Sequence, residues 1–314
     1  MARARALFFG TPAIAVPSLV ALADLCDVVA VVCQPDRPAG RDLSLRPPET
    51  KRAAEGLGVP VHQPLKVRTD EFARWVADQA ADIAVVLAYG RILTPAVLTG
   101  PRLGCVNLHA SLLPAYRGAA PINWAIVRGE AETGISLMQM DEGLDTGPVY
   151  VRRPLAIGPD ETAGELFVRM ADLAAAVVRD EVPRLLRGEL TAEPQDEARA
   201  THAPPLTREL GLVDWTKPAA ELHDLARGLH PWPGAHGVVK GKSFKLLATA
   251  RTPDVPEPGA APGSVHLVGK KRVLVACGDG NFLEIVRGQL EGRKPLAAAD
   301  LIAGRTFVVG DHFG

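Results

Sequence analysis

Asn107 and His109 stand two residues apart in the run 105–109, which reads as a short strand that ends in a polar loop. Side chains alternate between the faces of a strand, so Asn107 and His109 share a face and Leu108 turns to a core. An amide donor beside a group that titrates near neutrality suits a reaction in which a carbonyl oxygen becomes an oxyanion and protons move. A third candidate, Asp145, lies in the loop 141–148, where Gly143, Gly147 and Pro148 define a turn that can hold a carboxylate in place. Two plainer readings stand beside these: a strand end closed by two hydrogen-bonding residues, and an aspartate that caps its own turn.

The elements that must position these groups follow from periodicity. Residues 6–9 form an apolar run that stops at Gly10-Thr11-Pro12. Leu19, Leu22 and Leu25 then recur at helical spacing, and 28–33 is a β-branched run. Strand, glycine turn, helix, strand opens a doubly wound α/β domain. The glycine turn has neither a P-loop ending nor a G-x-G-x-x-G, so neither ATP nor NAD is indicated. Thr69 is placed to cap a helix through Gln79. Residues 83–88 form a wholly apolar strand of the kind buried on both faces of a parallel sheet, ending at Tyr89-Gly90. Ligands in such sheets sit outside the carboxyl ends of the strands, so one cleft could collect Gly10, Tyr89-Gly90 and His109. A long amphipathic helix lies within 160–188, with Leu166, Met170, Leu173 and Val177 on one face and Pro183 expected to bend or end it.

The polar stretch 188–205 reads as a linker ending in Pro204-Pro205. Beyond a helix at 218–228, five short β-rich runs (237–240, 244–248, 264–268, 273–277 and 282–286) predict a small OB-like barrel. The expected organisation is a Rossmann-like α/β domain over 1–188, a linker over 189–205 and an OB-like domain over 206–314.

The chain has a net charge of −1 and 23% charged residues, so as a whole it is no polycation. Four cysteines and eight histidines are scattered, with no C-x-x-C, no H-E-x-x-H and no Cys/His cluster. This pattern implies buried thiols in a reducing, cytoplasmic compartment and no metal site. No apolar segment reaches the ~18 residues that would span a membrane. Residues 34–48 hold Pro35, Pro38 and several arginines, and such a loop is neither a helix nor an inner strand. A solvated surface loop is one reading of it, yet loops longer than about 12 residues are unusual unless functional or disordered.

Together these residues resemble the 10-formyltetrahydrofolate-dependent formyltransferases, and among them the methionyl-tRNA formyltransferases, over nearly the whole length. The resemblance is carried by Phe9-Gly10-Thr11-Pro12, by the segment from Gln34-Pro35-Asp36-Arg37 to Arg41, and by Val106-Asn107-Leu108-His109-Ala110-Ser111-Leu112-Leu113-Pro114. Arg117-Gly118-Ala119-Ala120-Pro121, Gln139-Met140-Asp141, Gly143-Leu144-Asp145-Thr146-Gly147 and Pro231-Trp232-Pro233 complete it. It implies transfer of formyl from 10-formyltetrahydrofolate to the amino group of initiator methionyl-tRNA. Asn107, His109 and Asp145 occupy the family's catalytic positions. Ser111, Leu112, Leu113 and Pro114 match its folate-contacting loop, and Leu87 and Tyr89 are expected to wall the folate cleft.

Arg37 and Arg41 in the proline-arginine loop, with Lys270, Lys271 and Arg272 in the second domain, are the expected tRNA contacts. The alternative for any single lysine is a solubilising role on a β surface. Many relatives continue after Arg41 with glycine and a lysine pair, where this chain reads Asp42-Leu43-Ser44 and carries less positive charge. The same three catalytic residues would also serve a formyltransferase for another amine, such as a nucleotide sugar or glycinamide nucleotide, or a 10-formyltetrahydrofolate hydrolase. A monomer suffices for any of these activities.

Overall fold

The computed structural model describes residues 3–39 and 44–314. Residues 40–43, and with them Arg41, Asp42 and Leu43, lie outside the described residues. The chain divides into two compact units. The first takes Met1–Pro121, Thr133–Ala156 and Phe167–Ala203, and the second takes Ile122–Glu132, Ile157–Leu166 and Pro204–Gly314.

The strands of the first unit are β1 (Arg5–Gly10), β2 (Asp27–Val32), β3 (Arg37–Ala39), β4 (Ser44–Arg46), β5 (Val61–His62), β6 (Ile83–Leu87), β7 (Cys105–His109), β8 (Arg117–Gly118), β9 (Glu132–Gln139), β10 (Val149–Ala156) and β11 (His202–Ala203). Seven of them form one sheet in the order β10-β9-β7-β6-β1-β2-β5. From β7 to β5 the neighbours are parallel, and β9 runs antiparallel to β7. Helices α1 (Val16–Leu25), α2 (Glu49–Gly56), α3 (Asp70–Asp78) and α4 (Pro95–Leu98) make the crossovers. Every residue of β6 is buried, as its unbroken apolar run requires. Each such Val, Leu or Ile contributes about 1.5–3 kcal/mol by leaving water. The hydroxyl of Thr69 accepts from Phe72 N at 3.2 Å, which caps α3 as its position predicts. Because β1, β2, β6 and β7 are parallel, their carboxyl ends share one edge, and His109 is the last residue of β7.

Helix α5 (Pro121–Val127) follows β8, and α6 (Ala163–Leu186) runs through Pro183, ending three residues beyond it. The stretch read as a linker is not free. Glu193 and Val149 exchange backbone hydrogen bonds at 2.9 and 2.8 Å, and β11 pairs with β8 in parallel. Backbone groups that find partners in this way hold residues 189–203 to the first unit. The compact units therefore depart from the expected boundaries at 188 and 206, and also from a single cut in the chain.

The second unit contains α7 (Ala219–Gly228), β12 (Ala235–Val239), β13 (Lys242–Arg251), β14 (Val265–Val268), β15 (Arg272–Ala276), β16 (Phe282–Leu290), β17 (Leu296–Ala297) and α8 (Ala298–Ala303). The five expected runs correspond to β12 to β16. They form an antiparallel sheet in the order β12-β13-β16-β15-β14, with β17 on β16. The C-terminal tail joins its two edges: Phe313 bridges to Val239 and His312 to Ser264. Trp215, Phe244, Phe307 and Phe313 pack inside with Leu222 and Ala226 of α7. Among the described residues no helix is long and apolar enough to cross a membrane.

Candidate active site

The site is built at the end of β7. His109 is 5% exposed, and its Nε2 lies 2.9 Å from the Tyr116 carbonyl oxygen. A carbonyl can only accept, so Nε2 carries a proton and donates it. The other ring nitrogen, Nδ1, lies 3.6 Å from Asp145 Oδ2. That is longer than a formed hydrogen bond, but within the range over which such pairs tighten when a substrate arrives. Asn107 is partly exposed, and among the described residues its amide has no partner, which leaves it free to donate.

Asp145 is placed by its loop and by β8. Its φ is 56°, a left-handed conformation uncommon outside glycine and tolerated by aspartate. The amide of Gly118 donates to Asp145 Oδ2 at 2.8 Å. Gly118 itself has a φ of 121°, and a Cβ there would stand 2.7 Å from the Ala203 carbonyl oxygen. At Gly147 a Cβ would stand 2.0 Å from the Gln139 carbonyl oxygen, so only glycine lets the loop return to β9 so closely. The turn is capped by Asp141, not by Asp145. Asp141 accepts from the Gly143 amide at 3.1 Å and the Thr146 hydroxyl at 2.8 Å. Asp145 Oδ1 has no partner among the described residues.

Of the expected folate loop, Leu112, Leu113 and Pro114 line a cavity of about 360 Å³, together with Ala115, Arg152, Pro194, Asp196 and Arg199. None of Asn107, His109 or Asp145 lines it. Ser111 does not line it either: its hydroxyl is buried and donates to the Ala115 carbonyl at 2.5 Å, closing the turn. Ser136 stitches the same loop, donating to the Ser111 carbonyl at 2.7 Å and accepting from Leu113 N at 3.0 Å.

Leu87 and Tyr89 do not wall a cleft with their side chains. Both are 2% exposed, and Tyr89 packs edge-on against Phe9 at 5.4 Å. Burial pushes its hydroxyl up to about 12. The positive φ of Ala88, 51°, swings the chain so that Tyr89 turns inward. Its carbonyl accepts from Thr11 Oγ1 at 3.3 Å and Gln34 Nε2 at 2.9 Å, which ties together the ends of β1, β2 and β6. Two large apolar residues are left exposed, Ile92 three residues after Tyr89 and Leu144 next to Asp145, at 66% and 61%. Neither stands out by periodicity, and the only signal in the sequence is that each sits in a motif next to a strand end.

The basic candidates separate. The segment holding Arg37 is a hairpin, with β3 and β4 paired antiparallel, where an open loop was expected. Arg37 is exposed and donates to Gln34 Oε1 at 2.5 Å. At the hairpin's root, Lys51 Nζ contacts Asp36 at 2.9 Å and Gln63 at 3.0 Å. Hydrogen bonds from Gln63 and Lys51 hold the Asp36 carboxyl below the usual range. In the second unit Lys270 and Lys271 are exposed. Arg272 is not available as an RNA contact in the same way: it contacts Glu284 at 2.6 Å and pairs with Asp254, and these acids raise its pKa further.

Comparison with known proteins agrees with this architecture. A family profile described as "Formyl transferase" matches residues 7–182, and one described as "Formyl transferase, C-terminal domain" matches 205–306. The chain is 60% identical over 310 residues to a methionyl-tRNA formyltransferase of Sorangium cellulosum, covering 99% of each. It is 47% identical over 313 residues to that of Myxococcus xanthus, covering 99% of this chain and 98% of the relative. Among solved structures, the sugar 3N-formyl transferase WlaRD is similar in fold, with a TM-score of 0.68 at 15% identity over 94% of this chain and 100% of that one. HypX from Aquifex aeolicus, solved with tetrahydrofolic acid, matches with a TM-score of 0.62 at 18% identity over 98% of this chain and 48% of that one.

Proposed function

The chain belongs to the formyl transferase family, and on that premise we propose that it moves the formyl group of 10-formyltetrahydrofolate to the α-amino group of initiator methionyl-tRNA. The observation that carries this reading is the approach of His109 Nδ1 to within 3.6 Å of Asp145 Oδ2, beside an Asn107 amide that has no partner among the described residues. The nucleophile is a primary α-amine whose pKa is about 8, so enough is neutral at pH 7 that no strong base is needed. The new bond joins the amine nitrogen to the formyl carbon, and the bond from that carbon to the folate nitrogen breaks.

Asn107 donates to the oxyanion formed between these events, and the His109 ring stands beside it with Nδ1 facing Asp145. Asp145, with Oδ1 open and Oδ2 anchored on Gly118, accepts the proton shed by the amine and hands it toward the departing nitrogen through His109 or water. Leu112 and Pro114 in the strand-end loop, and the exposed Ile92 and Leu144, offer apolar surface for the folate rings. Arg37 on β3, Arg41 in the same basic stretch of sequence, and Lys270 and Lys271 in the second unit supply distributed charge for an RNA backbone.

All four cysteines are free and buried, with Cys105 and Cys277 pushed to about 12 by burial, which agrees with a reducing cytoplasm. The test is incubation of the purified chain with formyl-labelled 10-formyltetrahydrofolate and methionyl-tRNA. Label is expected in formylmethionyl-tRNA. Release of formate alone, or label only on a sugar amine offered in competition, would overturn the assignment.

A further inference from the structure

Gln195 lies 50 residues beyond Asp145, in the stretch that composition alone marks as a linker. Its amide is the hub of four hydrogen bonds. Nε2 donates to the carbonyl of Asp145 at 2.8 Å and to that of Gly147 at 2.7 Å. Oε1 accepts from Arg117 Nε at 3.1 Å and Nη2 at 2.9 Å. Two carbonyls on one side and two guanidinium donors on the other admit a single orientation of the amide, because a flipped amide would face acceptor to acceptor and donor to donor. Arg117 is in turn 3% exposed, held to Glu197 at 2.7 and 2.8 Å, and adjacent in sequence to Gly118, whose amide holds the Asp145 carboxylate. The residue after Gln195 fixes it locally: Asp196 Oδ1 accepts from Ala198 N at 3.0 Å and turns the chain.

We propose that Gln195 is a positioning residue for formyl transfer, holding the Asp145 loop and the Arg117-Gly118 strand in one register so that Asp145 stays aimed at His109. The left-handed φ of Asp145 makes such a hold necessary, since a non-glycine residue keeps that conformation only where its surroundings fix it. Nothing else among the described residues bonds both carbonyls of the loop to β8. The proposal rests on the reading of Asp145 as the proton acceptor.

The test is a cycle of full-length variants assayed for formyl transfer. Gln195→Glu keeps the length and the acceptor toward Arg117 and removes both N–H groups. Gln195→Leu removes the bonds on both sides without adding charge. Thermal melts establish that each is folded at the assay temperature, and either one alone suffices for the comparison. We expect kcat to fall by about 100-fold, the effect of a misplacement on the order of 1 Å, with KM for folate and tRNA little changed. In an Asp145→Asn background the same substitution should cost little more, because both changes remove one function. Near-normal kcat in a folded Gln195 variant, while Asp145→Asn is slow, would overturn the positioning role. So would losses that simply multiply. Normal turnover by Asp145→Asn would instead remove the reading of Asp145 on which the proposal stands.

Discussion

Arg117 in the first unit and Arg272 in the second each bind a carboxylate through the guanidinium, and their surroundings differ. Arg117 is 3% exposed and donates two further N–H groups to Gln195, whose other side holds the Asp145 loop. Arg272 is 34% exposed and sits between Asp254 and Glu284, at the start of β15 just after Lys270 and Lys271. The buried guanidinium acts in a low dielectric, where unmaking a bond strands a partner, so its geometry is passed on to neighbours. The surface one has its charge cancelled by two acids, leaving a two-lysine cluster where the sequence shows three cations. A network of the first kind should govern rate, and a cluster of the second kind should govern affinity in a graded, salt-dependent way.

The largest effects are expected at the buried site. His109→Ala and Asn107→Ala should each lower the rate of formyl transfer by at least about 100-fold while leaving the melting temperature close to that of the parent, since the first removes the ring that faces Asp145 and the second a donor to the oxyanion. Near-normal turnover by either purified variant would place the chemistry elsewhere.

At the surface cluster the effect is smaller and of another type. Reversing Lys270 and Lys271 to Glu should weaken tRNA binding and reduce the slope of log K against log salt by roughly 0.7–0.9 for each phosphate no longer neutralised. Arg272→Ala should leave that slope where it was and lower the melting temperature, because its charge is already spent on Asp254 and Glu284. Equal slope changes from all three positions would erase the contrast between the two arginines.

The smallest effect isolates the ion pair of Arg117. Its hydrogen bonds hold the Glu197 carboxyl below the usual range. A carboxylate held low contributes stability above its unfolded pKa, about 4.3, and loses it as the pH falls through the lower folded value. Glu197→Gln should therefore melt below the parent at pH 7, with the gap closing as the pH falls below about 4. A gap that is constant with pH would mean that Arg117 is held by Gln195 alone.

Local order is legible in the amino-acid sequence itself. The apolar run of β6, the Thr69 cap of α3 and the five short strands of the second unit rest on steric and hydrogen-bonding rules that act within a few residues. The two-residue spacing that puts Asn107 and His109 on one side of β7 is of the same kind. The side chains of Leu87 and Tyr89 escape such rules, because the left-handed turn at Ala88 rotates the chain toward the core and no periodicity announces it.

Other features required the closed fold. Asp145 meets His109 across 36 residues of chain, Gln195 reaches it from 50 residues further on, and Arg272 finds acids 18 and 12 residues away. A composition that looks like a linker gave no sign that 189–203 is bound to the first unit. Sequence alone determined the strands and the residue types at their ends, because backbone sterics are set by near neighbours. Only tertiary structure decided which polar groups face one another, because hydrogen bonds between distant segments depend on register and loop closure, and those exist only once the sheet has formed.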